Sequence, residues 1–570
     1  MSTGLADIPR LRLQCEAIRE QHREMRAAKP LIRLWANRPD GAPGLVLRGI
    51  AADNMAGQFP FRKNSFGTGG TLKLRLDHHL ARWIVRVPND ATAKKNIVIT
   101  VDFMGGKLRW SGLLKSWKVI RDSAGIRYLE TTWIDDLQFL QFMLGPPNPL
   151  LPIPLFQFPR VLPIFGPAKW AISMLILINL IRLNGNLWTL PDDPFAVESW
   201  DDLFDWSDWQ VLIKANPFDL DDSSLWTILA TRMNRIDEVI ADALDDAQLV
   251  MTYRRILTVD GETSDVPGVP EVANGALVLE VQDKSGYWNA DGTGTGGGVA
   301  GGFIRTVQAF TAGFIEDSSV LVMDDPTVHP EEYSTPGFVG TKPGFPWVVV
   351  RDSQWTAIQS SQLVYSPPTA VGVIVGGDNP MADSLAKLAI ESTAALIGYF
   401  LLGGFSALGS IAADIAMPFL QGTILAWLQW ENYGRGHNLG WVHLYELYQQ
   451  GAENNAWSLS AIAALRAGFL ASRAETAHQF SMGIGAQHLP GLHFVIGDRI
   501  GSVDSYVDER IFVEQVEEID PSWDWTSGKQ LDIKVTVGQA KAAMSQAERS
   551  SRLLSKALTT LSNIGVHLVS

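Results

Sequence analysis

The chain has 570 residues, 46% hydrophobic and 19% charged, which is typical of a globular protein with about three or four domains. Its 47 basic and 61 acidic residues give a formal charge of -14, which argues against specific nucleic-acid binding because an acidic surface repels phosphates. The single cysteine, Cys15, excludes an intramolecular disulfide and multi-cysteine zinc sites and indicates a protein folded in a reducing cytosol. Residues 1–29 lack a continuous apolar core, so we expect no secretory signal peptide.

The N-terminal segment, 1–30, is predicted to be a helix. It has Pro9 near its start and Pro30 at its end, as the geometry of proline favours. Its apolar seam recurs at spacings of three and four: Leu11, Cys15, Ile18, His22 and Met25. We expect this seam to pack on its own domain or on a neighbouring subunit. Residues 31–136 then show short strands between glycines, which predicts a first β-domain.

Five segments of this β-domain occur in a distinctive order: 31–35 (LIRLW), 45–50 (LVLRGI), 71–83 (TLKLRLDHHLARW), 97–102 (IVITVD) and 109–114 (RWSGLL). In the third, a period-2 strand leads into a segment that we interpret as a compact polar-aromatic turn. The order resembles that of the minor tail proteins of long-tailed phages infecting actinobacteria, the family that forms the hub of the tail tip. A second passage, 496–500 (IGDRI) within a predicted strand at 493–503, resembles a strand near the end of the hub barrel in that family.

The resemblance covers most of the chain and implies a mainly β fold with α elements (α+β). It implies two barrel-like hub domains per subunit, with helical and apolar insertions, in a homotrimer that matches a sixfold tail tube. It further implies a structural role in the virion, at the tail tip, after assembly in the host cytoplasm. The expected partners are the distal tail protein, the tape-measure protein and other minor tail proteins. No cofactor and no active-site residues follow from it.

Residues 137–250 are predicted to form a proline-rich apolar segment and a helical insertion. Prolines forbid a continuous helix in the first half of the nearly uncharged run 137–181. Its proline-free part, 170–181, is too short to span a bilayer and is interpreted as a buried or interface helix, or a membrane-touching loop. The acidic, tryptophan-rich stretch at 192–209 lacks the ligand spacing of a calcium loop. From Ser223, helical spacing of apolar residues as far as Leu244 predicts an amphipathic helix.

A second β-rich region is predicted over 251–380, with a glycine-rich loop at 291–302. This loop lacks the Gly-Lys-Ser/Thr ending of a phosphate-binding loop, so a flexible loop is favoured. The next region, 381–475, is predicted to be apolar and helical, with a helical pattern from His443. Strands over 476–535 are expected to complete a hub barrel, and 536–570 is expected to be a C-terminal helix, either docked on the body or in a coiled coil.

The uncharged stretches 392–413 and 415–430 are the strongest anomaly of the sequence. Three interpretations stay open for them: buried packing between subunits, transient contact with the host membrane, and permanent anchoring in a membrane. Residues of these stretches and of the 137–181 run are the candidate contacts to another subunit, the tape-measure protein or lipid: Leu396, Phe400, Leu401, Phe405, Leu408, Trp170, Leu175 and Ile176.

Catalysis finds little support in the sequence. Cys15 lies on an apolar helix seam, a poor place for a nucleophile, and the metalloprotease and serine-hydrolase motifs are absent from the sequence. His78 and His79 are expected to diverge from a strand end and to act as capping or core residues. We therefore predict a non-enzymatic adaptor without metal or cofactor. Two other functions stay open: a membrane-active protein that helps to perforate the host envelope, and a cell-wall glycosidase, whose carboxylate pair leaves no reliable sequence trace.

Overall fold

The computed structural model describes residues 8–123, 125–151, 153, 162–185, 205–285, 298–302, 320–322, 348–351, 358–376, 427–448, 468, 472, 475–483, 485, 488–504, 507 and 511–538. The α-helices named below are α1 (Ile8–Ala27), α2 (His79–Arg86), α3 (Ala168–Asn184), α4 (Ile236–Asp246) and α5 (Tyr433–Leu439).

The strands of the first part of the chain are β1 (Leu31–Asn37), β2 (Leu45–Ile50), β3 (Asn54–Gln58), β4 (Phe61–Arg62), β5 (Gly69–Arg75), β6 (Ile97–Phe103), β7 (Leu108–Arg121), β8 (Arg127–Asp135) and β9 (Leu144–Gly145). The middle of the chain holds β10 (Leu162–Pro167), β11 (Val211–Ile213), β12 (Trp226–Thr231), β13 (Asn234–Arg235), β14 (Leu249–Arg255), β15 (Leu277–Asp283), β16 (Val320–Val322) and β17 (Val349–Arg351). The last part holds β18 (Ile358–Ser366), β19 (Ala370–Gly376), β20 (Trp427–Glu431), β21 (Leu444–Tyr448), β22 (Glu475–Met482), β23 (Arg499–Val503), β24 (Ile511–Asp524) and β25 (Lys529–Val537).

One large sheet joins the two ends of the chain. Its strands follow the order β18-β22-β25-β24-β3-β5-β8-β7-β6-β1-β2. The long strand β24 makes the connection, since Ser522 lies opposite Gln58 in β3 and Ile519 lies opposite Phe61 in β4. The mainly β fold predicted from the sequence is confirmed. Of the strands predicted after position 476, β24 pairs with β3 and β4 of the first β-domain, and β25 and β22 extend the same sheet beyond β24.

The expected closure into barrels is not found among the described strands. Closing a barrel requires that the tilt and register of the strands bring the first strand beside the last. Here β2 and β18 each pair with one neighbour and end the path of the large sheet at opposite edges. Within the described part of the chain, the large sheet is therefore open.

The first hydrophobic core lies on this sheet because the strands alternate buried and exposed positions. In β8 every second residue is buried from Leu129 to Asp135, as period-2 side-chain geometry dictates. The fully buried aromatic residues Trp110, Trp133 and Phe59 pack there with Trp523 from β24. The rings of Phe59 and Trp523 stack at 6.0 Å. Residues distant in sequence thus bury one another.

A second hydrophobic core is built by residues 137–281. Helices α3 and α4 contribute Ile172, Leu175, Ile176 and Ile240, and the three-stranded sheet β11-β15-β14 contributes Leu279. The core takes residues from both sides of the boundary that the sequence predicts at position 250. The two parts are therefore held together by shared apolar burial.

The first turn of α3 is capped by residues distant in sequence. The amide of Trp170 donates to a carboxylate oxygen of Asp222 (2.9 Å), and the amide of Lys169 donates to Ser224 Oγ (3.0 Å). These acceptors satisfy amides that the helix itself leaves unpaired. This explains why an almost wholly apolar helix begins directly after Pro167.

Two helical predictions were wrong. Residues 226–231, placed in an amphipathic helix from Ser223, form β12, which pairs with β10, and the helix α4 begins only at Ile236. At the start of the predicted helical pattern from His443, residues 444–448 instead form strand β21, which pairs with β19. In both segments pairing with a distant strand overrides the local spacing of apolar residues.

The predicted turn within 71–83 is a helix boundary. His78 is the N-cap of α2, and its Nδ1 accepts a hydrogen bond from the Leu80 amide (3.1 Å). The prediction of a capping histidine is confirmed, but the expected divergence of His78 and His79 is wrong, since their rings stack at 4.6 Å. The first of them turns the chain from β5 into α2.

The N-terminal helix is confirmed as α1, and its seam is largely solvent-exposed. Leu11 and Ile18 expose 56% and 51% of their surface. Only the last turns touch the body: Met25 packs on the first core, and the His22 ring lies edge-on to His493 at 5.1 Å. The predictions for 192–204, 291–297, 377–426, 449–467 and 539–570 lie outside the described residues.

Candidate functional site

The most concentrated group of buried charges lies where the first β-domain meets the loop after β14. Arg33 of β1 and Arg109 of β7 both bind Asp102 of β6, at 2.6 Å and 2.5 Å. The loop adds Asp260, 2.6 Å from Arg33, and Glu262, 2.7 Å from Arg109. We name these five residues the charged junction. Its three strand residues are buried and flanked by apolar residues, so the ion pairs tie the two parts of the body together.

The electrostatics of the charged junction favour the ionised forms of Arg109 and Glu262. Burial alone would lower the pKa of Arg109, but its contacts with Asp102 and Glu262 outweigh burial and raise it. Burial likewise opposes ionisation of Glu262, yet hydrogen bonds from the Leu257 amide and from Arg109 lower its pKa. A general acid needs a raised pKa. The Glu262 carboxylate is therefore suited to holding the loop rather than to proton transfer.

A second buried group lies beside the charged junction, at the end of β8. Arg255 holds Asp136 through two hydrogen bonds of 2.6 and 2.7 Å, and Ser111 Oγ donates to the same carboxylate at 2.5 Å. The neighbouring Asp135 accepts from the Gly67 amide (3.0 Å). The pKa of Asp135 is raised to about 7, first by burial and second by the charge of the neighbouring Asp136. The two carboxyls are 2% and 0% exposed, so a glycan has no access to this pair in the structure.

We expect the stability of the protein to fall between pH 5 and pH 8 because of Asp135. Its folded-state pKa of about 7 lies above the ordinary value of 3.8, so the folded state retains a proton that the unfolded state releases. The stabilisation is complete below pH 3.8 and is lost as the pH rises through 7. The change between pH 5 and pH 8 should be about 2–3 kcal/mol.

Urea denaturation at both pH values measures this change. Asp135→Asn, which keeps the acceptor for the Gly67 amide, should be the more stable protein at pH 8 and should lose less stability on going from pH 5. An identical pH dependence in the variant and the parent would contradict the assignment to Asp135.

The Gly-Asp-Arg passage at 497–499 forms a second contact between the body's parts. Asp498 is buried and binds Lys284 Nζ at 2.6 Å, and Arg499 binds the Gln248 side chain and the Lys284 carbonyl. Gly497 has φ +81°, and a Cβ there would lie 2.3 Å from Val250. Only glycine fits this backbone and this approach. The passage therefore docks the C-terminal strands on the second core.

The predicted contact residues are placed only in part. Leu175 and Ile176 are fully buried in the second core, and Trp170 is half-buried, with its indole N–H donating to the Pro217 carbonyl (3.1 Å). The sequence left open whether 170–181 is a buried helix, an interface helix or a membrane-touching loop. In the structure these residues belong to α3, which packs in a core of its own chain. The remaining five, 396, 400, 401, 405 and 408, lie outside the described residues.

The described ranges contain neither a membrane-spanning helix nor a cluster of metal ligands. None of the helices in those ranges is long and apolar enough to cross a membrane. In the same ranges, no group of three or more His, Cys, Asp or Glu side chains is placed to hold a metal ion.

Comparison with protein families decides the relationship of the chain. The family described as "Siphovirus ReqiPepy6 Gp37-like protein" matches residues 31–539. The chain belongs to this family. The match includes every strand of the large sheet, the charged junction and the Gly-Asp-Arg passage.

Curated relatives place this Gp37-like protein among phage tail components. Minor tail protein Gp28 of Mycobacterium phage L5 is 30% identical over 546 residues, which are 87% of this chain and 89% of the relative. Minor tail protein Gp28 of Mycobacterium phage D29 is 30% identical over 547 residues, with the same shares. The resemblance to actinobacteriophage minor tail proteins is confirmed, and with it the location in the virion tail.

Solved structures give more distant likenesses. The 43 kDa tail protein of prophage MuSo2 from Shewanella oneidensis has a TM-score of 0.37 at 10% identity, covering 90% of this chain and 99% of that one. The tail protein from Neisseria meningitidis MC58 has a TM-score of 0.36 at 8% identity, covering 90% and 97%. Membership of the Gp37-like family rests on the sequence comparisons and not on these likenesses.

Sequence reasoning missed the charged junction. The available signal was a charged residue flanked on both sides by apolar ones: Arg33 in β1, Asp102 in β6 and Arg109 at the start of β7. Such residues are rarely buried unless they are paired. The pairing itself could not be read from the sequence, because Asp260 and Glu262 join from more than 150 positions away.

Proposed function

We propose that this Gp37-like protein is the hub of the phage tail tip. In this role it closes the tail tube as a homotrimer and connects it to the distal tail protein, the tape-measure protein and the receptor-binding minor tail proteins. The observation that carries the proposal is the match of residues 31–539 to a family whose curated relatives are minor tail proteins. The role is structural and needs no catalytic group.

The internal construction of the chain supports a structural role. Buried ion pairs such as Arg33–Asp102 and Lys284–Asp498 join segments that lie far apart in sequence. Buried pairs contribute less to net stability than to a fixed arrangement, since breaking one leaves an uncompensated charge. A connector between several proteins requires such a fixed arrangement, because each of its surfaces must meet a different partner.

Exposed apolar surface supports assembly with further copies. Strand β2 ends the large sheet, and its residues Val46, Leu47 and Ile50 expose 50%, 43% and 45% of their surface. A sheet edge presents unpaired backbone groups, and an apolar edge strand is a ready template for another chain. We propose that this β2 edge forms the contact between neighbouring copies in the trimer.

We expect the purified protein to form a trimer, with three times the 62.6 kDa mass of one chain. The reason is the apolar β2 edge, which association would remove from water. Light scattering at micromolar concentration measures the mass, and negative-stain images should show closed rings. A stable monomer under these conditions would contradict the trimer.

Leu47→Lys tests the assigned edge in the same measurement. A charge at this position should weaken association, because an interface would bury it without a partner. Val119→Lys is the matched control, since Val119 of β7 is 44% exposed but does not lie on the edge strand. Equal association of both variants would exclude the β2 edge as the contact.

A further inference from the structure

An arginine-rich cleft opens where α2, the end of β5 and the turn between β7 and β8 meet. Its volume is about 680 Å³, and it is lined by the side chains of Arg75, Arg82, Arg86 and Arg127. We name it the arginine cleft. Such a concentration of positive charge stands out on a chain with a formal charge of -14.

The fold places these arginines together for a simple reason. Helix α2 buries Leu80 and Ile84 against the first core, so the opposite face of the helix is turned to solvent. Arg82 and Arg86 are four residues apart and therefore share that face, one turn from each other. The start of β8 is fixed beside them, because the Leu76 amide donates to the Arg127 carbonyl (3.2 Å).

Most of the positive charge in the cleft is not neutralised within the chain. Arg75 is held by Asp77 through contacts of 3.1 and 3.0 Å, and these hydrogen bonds lower the pKa of the Asp77 carboxyl. Among the described residues, no carboxylate lies within ion-pair distance of Arg82, Arg86 or Arg127. Like charges at positions i and i+4 of a helix repel each other. An anion in the cleft would relieve that repulsion.

The lining of the arginine cleft selects among anions. Leu76, Val85 and Ile126 form apolar parts of the wall, and Ile126 is 50% exposed. A nucleic-acid backbone would gain little from these apolar side chains, whereas Asp77 repels phosphates and carboxylates alike. A peptide with carboxylates and an apolar side chain suits both parts of the cleft. Its carboxylates can pair with the guanidinium groups, and its apolar side chain can pack on the apolar wall.

We propose that the arginine cleft binds an acidic segment of another tail protein. Arg82, Arg86 and Arg127 take the carboxylates of that segment, and Ile126 with Val85 takes an apolar side chain between them. The proposal rests on membership of a tail-protein family and goes beyond the hub role, since such a cleft would serve a tail component at any position. Loss of the trimer in the light-scattering test would leave it unaffected.

Peptide binding to the full-length protein tests the chemistry of the cleft. The probes are a short fluorescent peptide of alternating glutamate and leucine, its counterpart with glutamine in place of glutamate, and single-stranded DNA of equal length. We expect the glutamate peptide to bind most tightly and to weaken as salt is added. The combined variant Arg82→Gln, Arg86→Gln, Arg127→Gln should bind it about tenfold more weakly, as loss of three exposed ion pairs predicts.

Arg232→Gln is the matched control, because Arg232 is exposed and lies outside the cleft, and it should leave binding unchanged. Unchanged thermal unfolding of the combined variant shows that it remains folded. Several results would overturn the proposal: no binding of the glutamate peptide, equal binding of the glutamine peptide, tighter binding of DNA, or full binding by the combined variant.

Arginine labelling identifies the source of the occupant. Phenylglyoxal should modify Arg82, Arg86 and Arg127 in the isolated protein, and mass spectrometry should find them protected in purified tails that contain no DNA. Reactive arginines in such tails would show an empty cleft and overturn the proposal. Protection already in the isolated protein at concentrations where it self-associates would assign the occupant to a second copy of this chain instead.

Discussion

Replacing Asp102 with alanine should lower the free energy of unfolding by about 3–5 kcal/mol, because it leaves two buried guanidinium groups without their shared carboxylate. Arg33 and Arg109 are 6% and 7% exposed and bind Asp102 at 2.6 and 2.5 Å. Asp260 and Glu262 compensate only in part, because both belong to the partly exposed loop. Asp260 contacts Arg33 at 2.6 Å but Arg109 only at 4.0 Å, and Glu262 contacts Arg109 at 2.7 Å. Chemical denaturation monitored by tryptophan fluorescence measures the loss.

Asp40→Ala provides the control for this experiment. Asp40 also binds an arginine, Arg38, at 2.9 Å, but both side chains are exposed, so water replaces the lost contact and the variant should unfold like the parent. If Asp102→Ala were as stable as Asp40→Ala, the charged junction would not join the two parts of the body.

Replacing Trp523 with alanine should cost about 3–5 kcal/mol of the free energy of unfolding, the range for loss of a large aromatic side chain from a core. Trp523 is 2% exposed, stacks on Phe59, and donates its indole N–H to Asn54 (2.7 Å). The substitution removes these contacts and leaves a cavity between β24 and β3. Strands from both ends of the chain meet at Trp523. We therefore expect the substitution to destabilise N-terminal and C-terminal strands alike.

Hydrogen exchange with peptide-level resolution can separate this result from a local effect. We expect faster exchange in both β5 and β25 of Trp523→Ala, and no change in either strand of Trp441→Ala, whose side chain is 96% exposed. Faster exchange confined to β25 would contradict a core shared between the two ends of the chain.

The sequence located several β-strands of the first β-domain because their signal is local. The segments 31–35, 97–102 and 109–114 were identified from alternation or continuous apolar runs between glycines, and they are found within β1, β6 and β7. The same kind of reasoning failed at 226–231, where a helical spacing of apolar residues forms strand β12. An apolar residue can face a core from either structure, and the neighbouring strand β10 decided between them.

The candidate contact residues show a similar division. The sequence predicted a buried or interface helix, or a membrane-touching loop, at 170–181, and the structure places Leu175 and Ile176 inside the second core. Composition alone does not distinguish a helix that packs on its own chain from one that packs on a partner. Only the positions of α4 and the sheet β11-β15-β14 show which surface covers it.

The amino-acid sequence by itself determined the class of the protein: a mainly β, acidic, cysteine-poor chain whose order of short motifs belongs to phage minor tail proteins. These properties depend on residue type and on spacing over a few positions. Only the tertiary structure decided that β24 joins the two ends of the chain, that Asp102 is shared by two arginines, and that four arginines line one cleft. Each of these contacts closes a long stretch of chain, and its partner is selected by the packing of whole strands rather than by neighbouring residues.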